Sequence, residues 1–459
     1  MKFSQIIFAA LTIGAVNLVA EEQTTKPNVI YILADDLGYG DLGCYGQKIL
    51  TTPNLDGLAA SGMRFTRNYS GSTVCAPSRC TLLTGKHTGH STIRGNNHVL
   101  LKESDVTIAD LFKKAGYVTG NFGKWGVGHP PEPTNPNKHG FDEFFGYVNM
   151  FHAHNFYPEF LIHNGKEVAL DNVLLDRYQK LPEEHRGSGV AKAAKQYAPD
   201  LIREKMFKFI DTHHKKPFFL LYTPNTPHAN NEGERHGRGM EVPNYGPYEN
   251  ETWPIQEKGF AKMMLDLDND IKRIREALTK YGIDTNTLII FSSDNGPHHE
   301  GGHDVKFFNS NGDKRGYKRD LFEGGVRVPM IAYWPGKIPS GTVNNSIVAF
   351  QDLLPTVAEI ARVDCPETDG QSMLPALLGE KLNDSSRTLY WDFPERKTQA
   401  LLKGDLKLIR FKRGNEYQLF DLEKDPGESQ NIISQFPEVV EELKKTMFSI
   451  PDDKSKFLK

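Results

Sequence analysis

At 459 residues the chain is long enough for two or three domains, or for one large α/β core that takes up most of its length. Its formal net charge of −3 lacks the basic surplus of a nucleic-acid binder, and no stretch beyond the N-terminus approaches the about twenty uninterrupted apolar residues of a membrane span. Four cysteines, Cys44, Cys75, Cys80 and Cys365, are too few and too scattered for a disulfide framework, and without a Cys-x-x-Cys pair a thiolate zinc site has little support.

Met1-Lys2, then Ile6, Ile7, Phe8, Ala9, Ala10 and Leu11, then small residues to Ala20, read as a signal peptide over 1–20; the mature chain is expected to be exported, periplasmic or secreted. No cysteine ends this segment, which argues against a lipid anchor. Short apolar runs then alternate with helix-period segments: NVIYILA (28–34), VTIADLFKKAGY (106–117), PFFLLYT (217–223), MLDLDNDIKRIREALTKYG (264–282), NTLIIFS (286–292), VPMIAYWPG (328–336) and FQDLLPTVAEIARV (350–363). Such alternation predicts an α/β fold over 27–375, with a large, mostly parallel sheet sandwiched by helices. The Pro-, Gly-, Asn- and His-rich stretches 125–200 and 229–256 read as long ordered loops over one sheet edge. ALLKGDLKLIRFK, EYQLFDLEKDPGE and a last helix from Pro437 to Met447 predict a smaller C-terminal α+β subdomain over 376–459, with two or three antiparallel strands.

Residues with catalytic potential recur directly after the predicted strands. Asp35 and Asp36 follow NVIYILA, Lys124 ends YVTGNFGK, His228 follows PFFLLYTPNTP, and Asp294 with Asn295 follows NTLIIFSS. Ligands of open α/β sheets bind beyond the carboxyl ends of strands, so these residues point to one site. Three acids and an amide are hard oxygen donors suited to Ca²⁺ or Mg²⁺, and a divalent cation relieves their mutual repulsion. One acidic pair alone reads more readily as a cap or a surface turn; recurrence after two strands reverses this and favours the metal.

VCAPSRCTLLTG (74–85) raises a separate question. A Cys75–Cys80 bridge would have to close within about one helical turn, an awkward geometry. Pro77 suits the first turn of a helix that stops at Gly85, which puts Cys75 at a helix N-terminus where an anion is favoured, with Arg79 one turn on. By itself Cys75 reads either as a nucleophile or as a small buried apolar residue.

The Cys-x-Pro-Ser-Arg pattern with LLTGKH after it closely resembles the type I sulfatases of the alkaline phosphatase superfamily. The resemblance spans most of the chain, through NVIYILADDLGYGDLGCYG, GKWGVG, TPNTPH, SSDNGP, GYKRDLFEGGVRVP and LFDLEKDPGESQN in that order. It implies that Cys75 is oxidised to formylglycine (3-oxoalanine) by a formylglycine-generating or anaerobic sulfatase-maturing enzyme, and that the hydrated aldehyde attacks the sulfur of a sulfate ester. It further implies one Ca²⁺, favoured over Mg²⁺, held by Asp35, Asp36, Asp294, Asn295 and the modified Cys75. Arg79 and Lys124 match positions that orient the hydrate, Lys318 the one that grips the sulfate, and His228 the histidine beside the leaving oxygen, a candidate general acid.

One departure stands out against that family. Many members read Gly-Lys-Trp-His, with a histidine that helps eject sulfate; here Gly126 follows Trp125, which leaves His129 or His228 to serve. The stretches HTGHSTIRGN (87–96, with His90 and Arg94) and MFHAHNFYPEF (150–160, with His152 and His154) suit the hydroxyls and charges of a sulfated carbohydrate, or else satisfy their own loops. With Gly126 they are similar to a subgroup acting on galactose-type 4-sulfates. Two other readings stay open: a phosphomonoester or phosphodiester hydrolase of the same superfamily, and a non-catalytic sulfated-glycan binding protein.

Overall fold

The computed structural model describes residues 26–96, 100–127, 136–411 and 416–451; the expected signal peptide and His129 lie outside them. Strand Asn28–Ala34 sets the architecture, because its side chains alternate between two cores. Val29, Tyr31 and Leu33 enter one, Ile30, Ile32 and Ala34 the other. Phe218–Thr223 and Thr287–Ser293 flank it in parallel, and Val118–Lys124 and Glu143–Tyr147 extend the parallel set beyond Phe218–Thr223.

The margins are mixed, antiparallel except where the edge strand Thr342–Asn344 runs parallel to Met63–Phe65. Met330–Tyr333 and Met63–Phe65 continue one side to an edge strand at Thr342–Asn344, while Phe160–His163 and Lys166–Ala169 continue the other, ten strands in all. Helices Cys75–Thr84, Ile108–Lys114 and Leu353–Ala361 cover one face, and Pro53–Ser61, Ala198–His213 and Ile255–Lys280 the other. Each fully buried Leu, Ile or Phe in these cores stabilises the sheet by about 1.5–3 kcal/mol relative to exposure. Among the described residues no helix is long and apolar enough to cross a membrane.

Two expectations need correction. The stretch 125–200 is not only loop, since it supplies three strands of the main sheet. Lys166–Ala169 is exposed along its whole length, so no apolar alternation betrays it. The C-terminal sheet has four antiparallel strands, Thr388–Phe393, Thr398–Lys403, Leu406–Phe411 and Glu416–Asp421, of which the first was not foreseen. Trp391, Phe393, Leu402 and Ile409 from one face pack on Tyr69, Val74 and Leu321, just upstream of Cys75 and beyond Lys318. The opposite face carries helix Pro437–Ser449 through Val440, Leu443 and Met447.

Candidate active site

The carboxylates meet because their strands are neighbours in register. Ala34 pairs with Ser293, so Asp35 and Asp294 leave the sheet side by side. Asp36 takes the left-handed region at φ 65°, tolerable for Asp, and its N–H donates to Asp294 Oδ1 at 3.0 Å. Asn295 Nδ2 donates to Asp36 Oδ1 at 2.7 Å. Lys124, last residue of its strand, reaches across the end of Phe218–Thr223 to both oxygens of Asp35, at 2.7 and 2.9 Å.

Helix Cys75–Thr84 brings residue 75 to the same place. Extended Val74 precedes it and left-handed Gly85 (φ 68°) ends it, as the sequence predicts. Ser78 Oγ bonds the Asp294 carbonyl, which fastens the first turn to the strand end. Arg79 donates from Nε and Nη2 to Asp294 Oδ2 (3.0 and 2.8 Å) and from Nη1 to the Lys124 carbonyl (2.6 Å), and its Nη2 lies 3.2 Å from Asp35. Cys75 Sγ lies 3.6 Å from Asp35 Oδ1. Burial pushes the Cys75 thiol well up, and the nearby acids add to it despite Lys124, so the helix terminus does not yield a thiolate. All four cysteines are free thiols.

Opposite stands a second cluster. Lys318, held by its N–H on the Pro297 carbonyl, donates to Asp36 Oδ2 (2.8 Å), Glu300 Oε2 (2.8 Å) and His228 Nε2 (3.1 Å). His228 Nδ1 donates to the Ala229 carbonyl at 2.6 Å, which assigns the tautomer with Nε2 as acceptor. Burial, then the Lys318 charge, hold His228 well below the ordinary histidine range. Its ring stacks on His154 at 4.8 Å, and His154 faces Glu232 at 3.3 Å. Glu300, shared between Lys318 and Arg319, escaped the sequence reading. Its nearness in sequence to SSDNGP and its acidic character were the only signals.

These groups form a nearly neutral set: Asp35, Asp36 and Asp294 against Arg79, Lys124 and Lys318, all almost wholly buried. Burial works against both signs of charge, and each is kept by its partners. Against burial, Lys124, His228 and Arg79 hold Asp35 well below the carboxylate range, and Lys318 and His228 hold Asp36 down. Asp294 is lifted to about 7 by burial and by Asp35 beside it.

The oxygen donors gathered here, the Asp35, Asp36 and Asp294 carboxylates and Asn295 Oδ1, fit a hard divalent cation, whereas the thiol and imidazole beside them do not. Asp35, Asp36, Cys75 and His228 place ligand atoms within 4.8 Å of one another, and the buried Asn295 Oδ1 has no hydrogen-bond partner. An orphaned amide oxygen among carboxylates is what calcium coordination would satisfy.

Other expected residues lie elsewhere. His152 is a core histidine, edge-on to Tyr147 at 5.0 Å and against Phe160 at 4.4 Å, and burial drops it to about 3; it does not join the site, whereas His154 does. His90 faces Asp369 and the Ile450 carbonyl, both at 2.7 Å, and Arg94 bonds the Ser91 carbonyl. Gly126 needs its residue type: φ is 73°, and a Cβ would lie 3.0 Å from Arg79 Cδ and 3.5 Å from Lys124 Cε.

Residues 27–363 match the family described as "Sulfatase", and residues 313–453 match "N-sulphoglucosamine sulphohydrolase, C-terminal". The chain is 30% identical to an N-acetylgalactosamine-6-O-sulfatase of Bacteroides thetaiotaomicron, with 94% of each chain covered. It is 32% identical to human arylsulfatase A over 91% of this chain and 86% of that one. Among solved structures, Ps i-CgsB in complex with k-i-k-neocarrahexaose superposes with a TM-score of 0.77 at 27% identity, over 95% of this chain and 94% of that one.

Proposed function

The chain belongs to the sulfatase family, and from that premise we propose that it hydrolyses sulfate esters on sulfated saccharides, releasing inorganic sulfate, with residue 75 as nucleophile precursor and one calcium ion as cofactor. The observation that carries this reading is the meeting of Cys75, three carboxylates and three buried cations at one sheet edge. The Cys-x-Pro-Ser-Arg motif at residues 75–79, with a thiol that burial keeps protonated and so a poor nucleophile as it stands, supports conversion of Cys75 before it takes part. As formylglycine, residue 75 supplies a hydrated aldehyde as nucleophile toward sulfur. Asp35, Asp36, Asp294 and Asn295 would hold the calcium ion, which would supply Lewis-acid polarisation of the ester oxygens.

The chain's own groups do the rest. Arg79 and Lys124 fix the carboxylates beside residue 75 and present positive charge to it. Lys318 offers its ammonium to the sulfate oxygens, and the Lys318–His228 pair holds a proton at Nζ for the departing alcohol oxygen. Near-complete burial of all these groups excludes water and strengthens each charge interaction. The name of the N-acetylgalactosamine-6-O-sulfatase relative, with the Gly126 context, supports a galactose-configured sugar. An exported location, periplasmic or secreted, accords with the N-terminal sequence.

Sulfate release from sulfated galactose and N-acetylgalactosamine saccharides tests the reading. Turnover that vanishes in a folded Cys75→Ala protein supports it. Faster hydrolysis of matched phosphate esters would redirect it to phosphoryl chemistry.

A further inference from the structure

A cleft of about 380 Å³ lies beside the site, between Arg319 and Asp320 on the main body and Glu395, Arg396 and Lys397 on the C-terminal sheet, with Phe322 and Phe411 as apolar lining. Its volume suits a sugar-sized ligand. Both walls are fastened to the chain around residue 75. Arg319 N–H donates to the Thr73 carbonyl at 3.0 Å, and Thr73 Oγ1 donates to the Asp320 carbonyl at 2.8 Å. From the other wall, Glu395 accepts the Asn96 N–H, and Asn96 Oδ1 accepts the Ala76 N–H at 3.0 Å.

Arg319 sits in the left-handed region, φ 76°, which a bulky residue adopts only under constraint. Two consecutive cations then serve neighbouring spaces: Lys318 meets Asp36 and His228, Arg319 lines the cleft, and Glu300 bridges them. Arg396 rests on Asp320 at 2.7 Å in a half-exposed pair that an incoming anion displaces at little cost. Lys397 is exposed and has no carboxylate partner among the described residues. Three cations against Asp320 and Glu395 leave the lining positive. Guanidinium forks match sulfate and carboxylate oxygens, and aromatic lining suits a sugar's apolar face.

We propose that this cleft binds a second anionic group, a sulfate or a uronate carboxylate, on the sugar adjoining the one whose ester is cleaved. This rests on the sulfatase reading and narrows the substrate to oligosaccharides with at least two negative charges.

Equilibrium binding to Cys75→Ala protein separates the cleft from chemistry. Three probes are compared: a disulfated galactosamine disaccharide, its monosulfated counterpart, and a monosulfated disaccharide with a uronate neighbour. At least one doubly charged probe is expected to bind ~10-fold or more tightly than the monosulfated one. Which one does so identifies the anion. Arg396→Gln with Lys397→Gln is expected to erase that preference and leave the monosulfated Kd within about twofold. Equal affinity for all three probes, or a preference that survives both substitutions, overturns the proposal. Turnover of a small aryl sulfate by protein with residue 75 intact tests the sulfatase reading alone, and the two cleft substitutions are expected to leave it unchanged.

Discussion

Lys318 Nζ donates to His228 Nε2 at 3.1 Å, and both side chains reach the same Oδ2 of Asp36, at 2.8 and 3.3 Å. Because His228 Nδ1 is committed to a backbone carbonyl, the pair's transferable proton resides on Lys318. Burial works against that charge, but Asp36 and Glu300 hold the ammonium firmly above its ordinary range.

In the proposed reaction this pair protonates the leaving alcohol. Lys318→Met keeps the stem and removes the charge, and is expected to lower kcat about 10²–10³-fold. The loss is expected to be larger for alkyl sulfates than for esters of acidic phenols, whose oxygens leave without a proton. Steady-state kinetics on the two ester classes check this; equal losses would confine Lys318 to sulfate binding.

Removal of the divalent ion is expected to stop turnover and lower the melting temperature. Calcium at ~100 times its Kd should restore roughly 2.7 kcal/mol of stability. Magnesium, which demands octahedral geometry and keeps its waters, is expected to restore less. Asn295→Leu, which deletes the orphaned Oδ1, is expected to weaken calcium binding while the protein stays folded. Calorimetry of chelator-treated protein with each ion reads both effects.

Gly126→Ala places a methyl group on a left-handed residue 3.0 Å from Arg79 Cδ. A destabilisation of about 1–3 kcal/mol is expected, with kcat reduced through displacement of Arg79. Gly126→His, which introduces the residue common at this motif in the family, is expected to be worse for stability. Urea unfolding and kinetics on the two variants decide it.

Glu428 marks a pH dependence between the two sheets. Burial lifts its carboxyl from an ordinary 4.5 to about 7, with Glu323 adding to the rise and Lys407 opposing it. The folded state therefore binds a proton that the unfolded chain releases, so this contribution is complete below about 4.5 and is lost as pH climbs through 7. Glu323, held at about 2 by Lys407 and Arg327 against burial, has the opposite sign; its contribution is lost only as pH falls from about 4.5 toward 2. Between 4.5 and 7 Glu323 stays ionised in both states, but Asp294 and Asp41, both lifted to about 7, lose stability alongside Glu428 while buried His152 gains it, so only the difference between the Glu428→Gln and unsubstituted slopes belongs to Glu428. Relative to the unsubstituted protein, Glu428→Gln is expected to remove a fall of roughly 1–3 kcal/mol from the stability change across that interval. Denaturant titrations at pH 5, 6 and 7.5 measure the slope.

Much of the site was legible because its residues stand where an apolar strand stops. NVIYILA ending in Asp35-Asp36, and NTLIIFSS ending in Asp294-Asn295, are local signals that survive without a structure. Ser78 and Glu300 gave no such signal, since each acts through a partner distant in sequence: Ser78 on Asp294, Glu300 on Lys318 and Arg319. His152 and His154 illustrate the same limit within one short turn. Two positions apart, one enters the aromatic core and the other stacks on His228, a choice made by tertiary packing alone. The strands Glu143–Tyr147 and Phe160–His163 were hidden by the glycine and histidine around them, and TLYWDF (388–393) by its place beside a predicted boundary.

The most direct test of the central claim is the mass of the peptide that carries residue 75, taken from protein that releases sulfate and was produced alongside a maturation enzyme. The account predicts a loss of about 18 Da, thiol to aldehyde, in proportion to specific activity across preparations. Full sulfate release from protein whose residue 75 remains an unmodified thiol would contradict it.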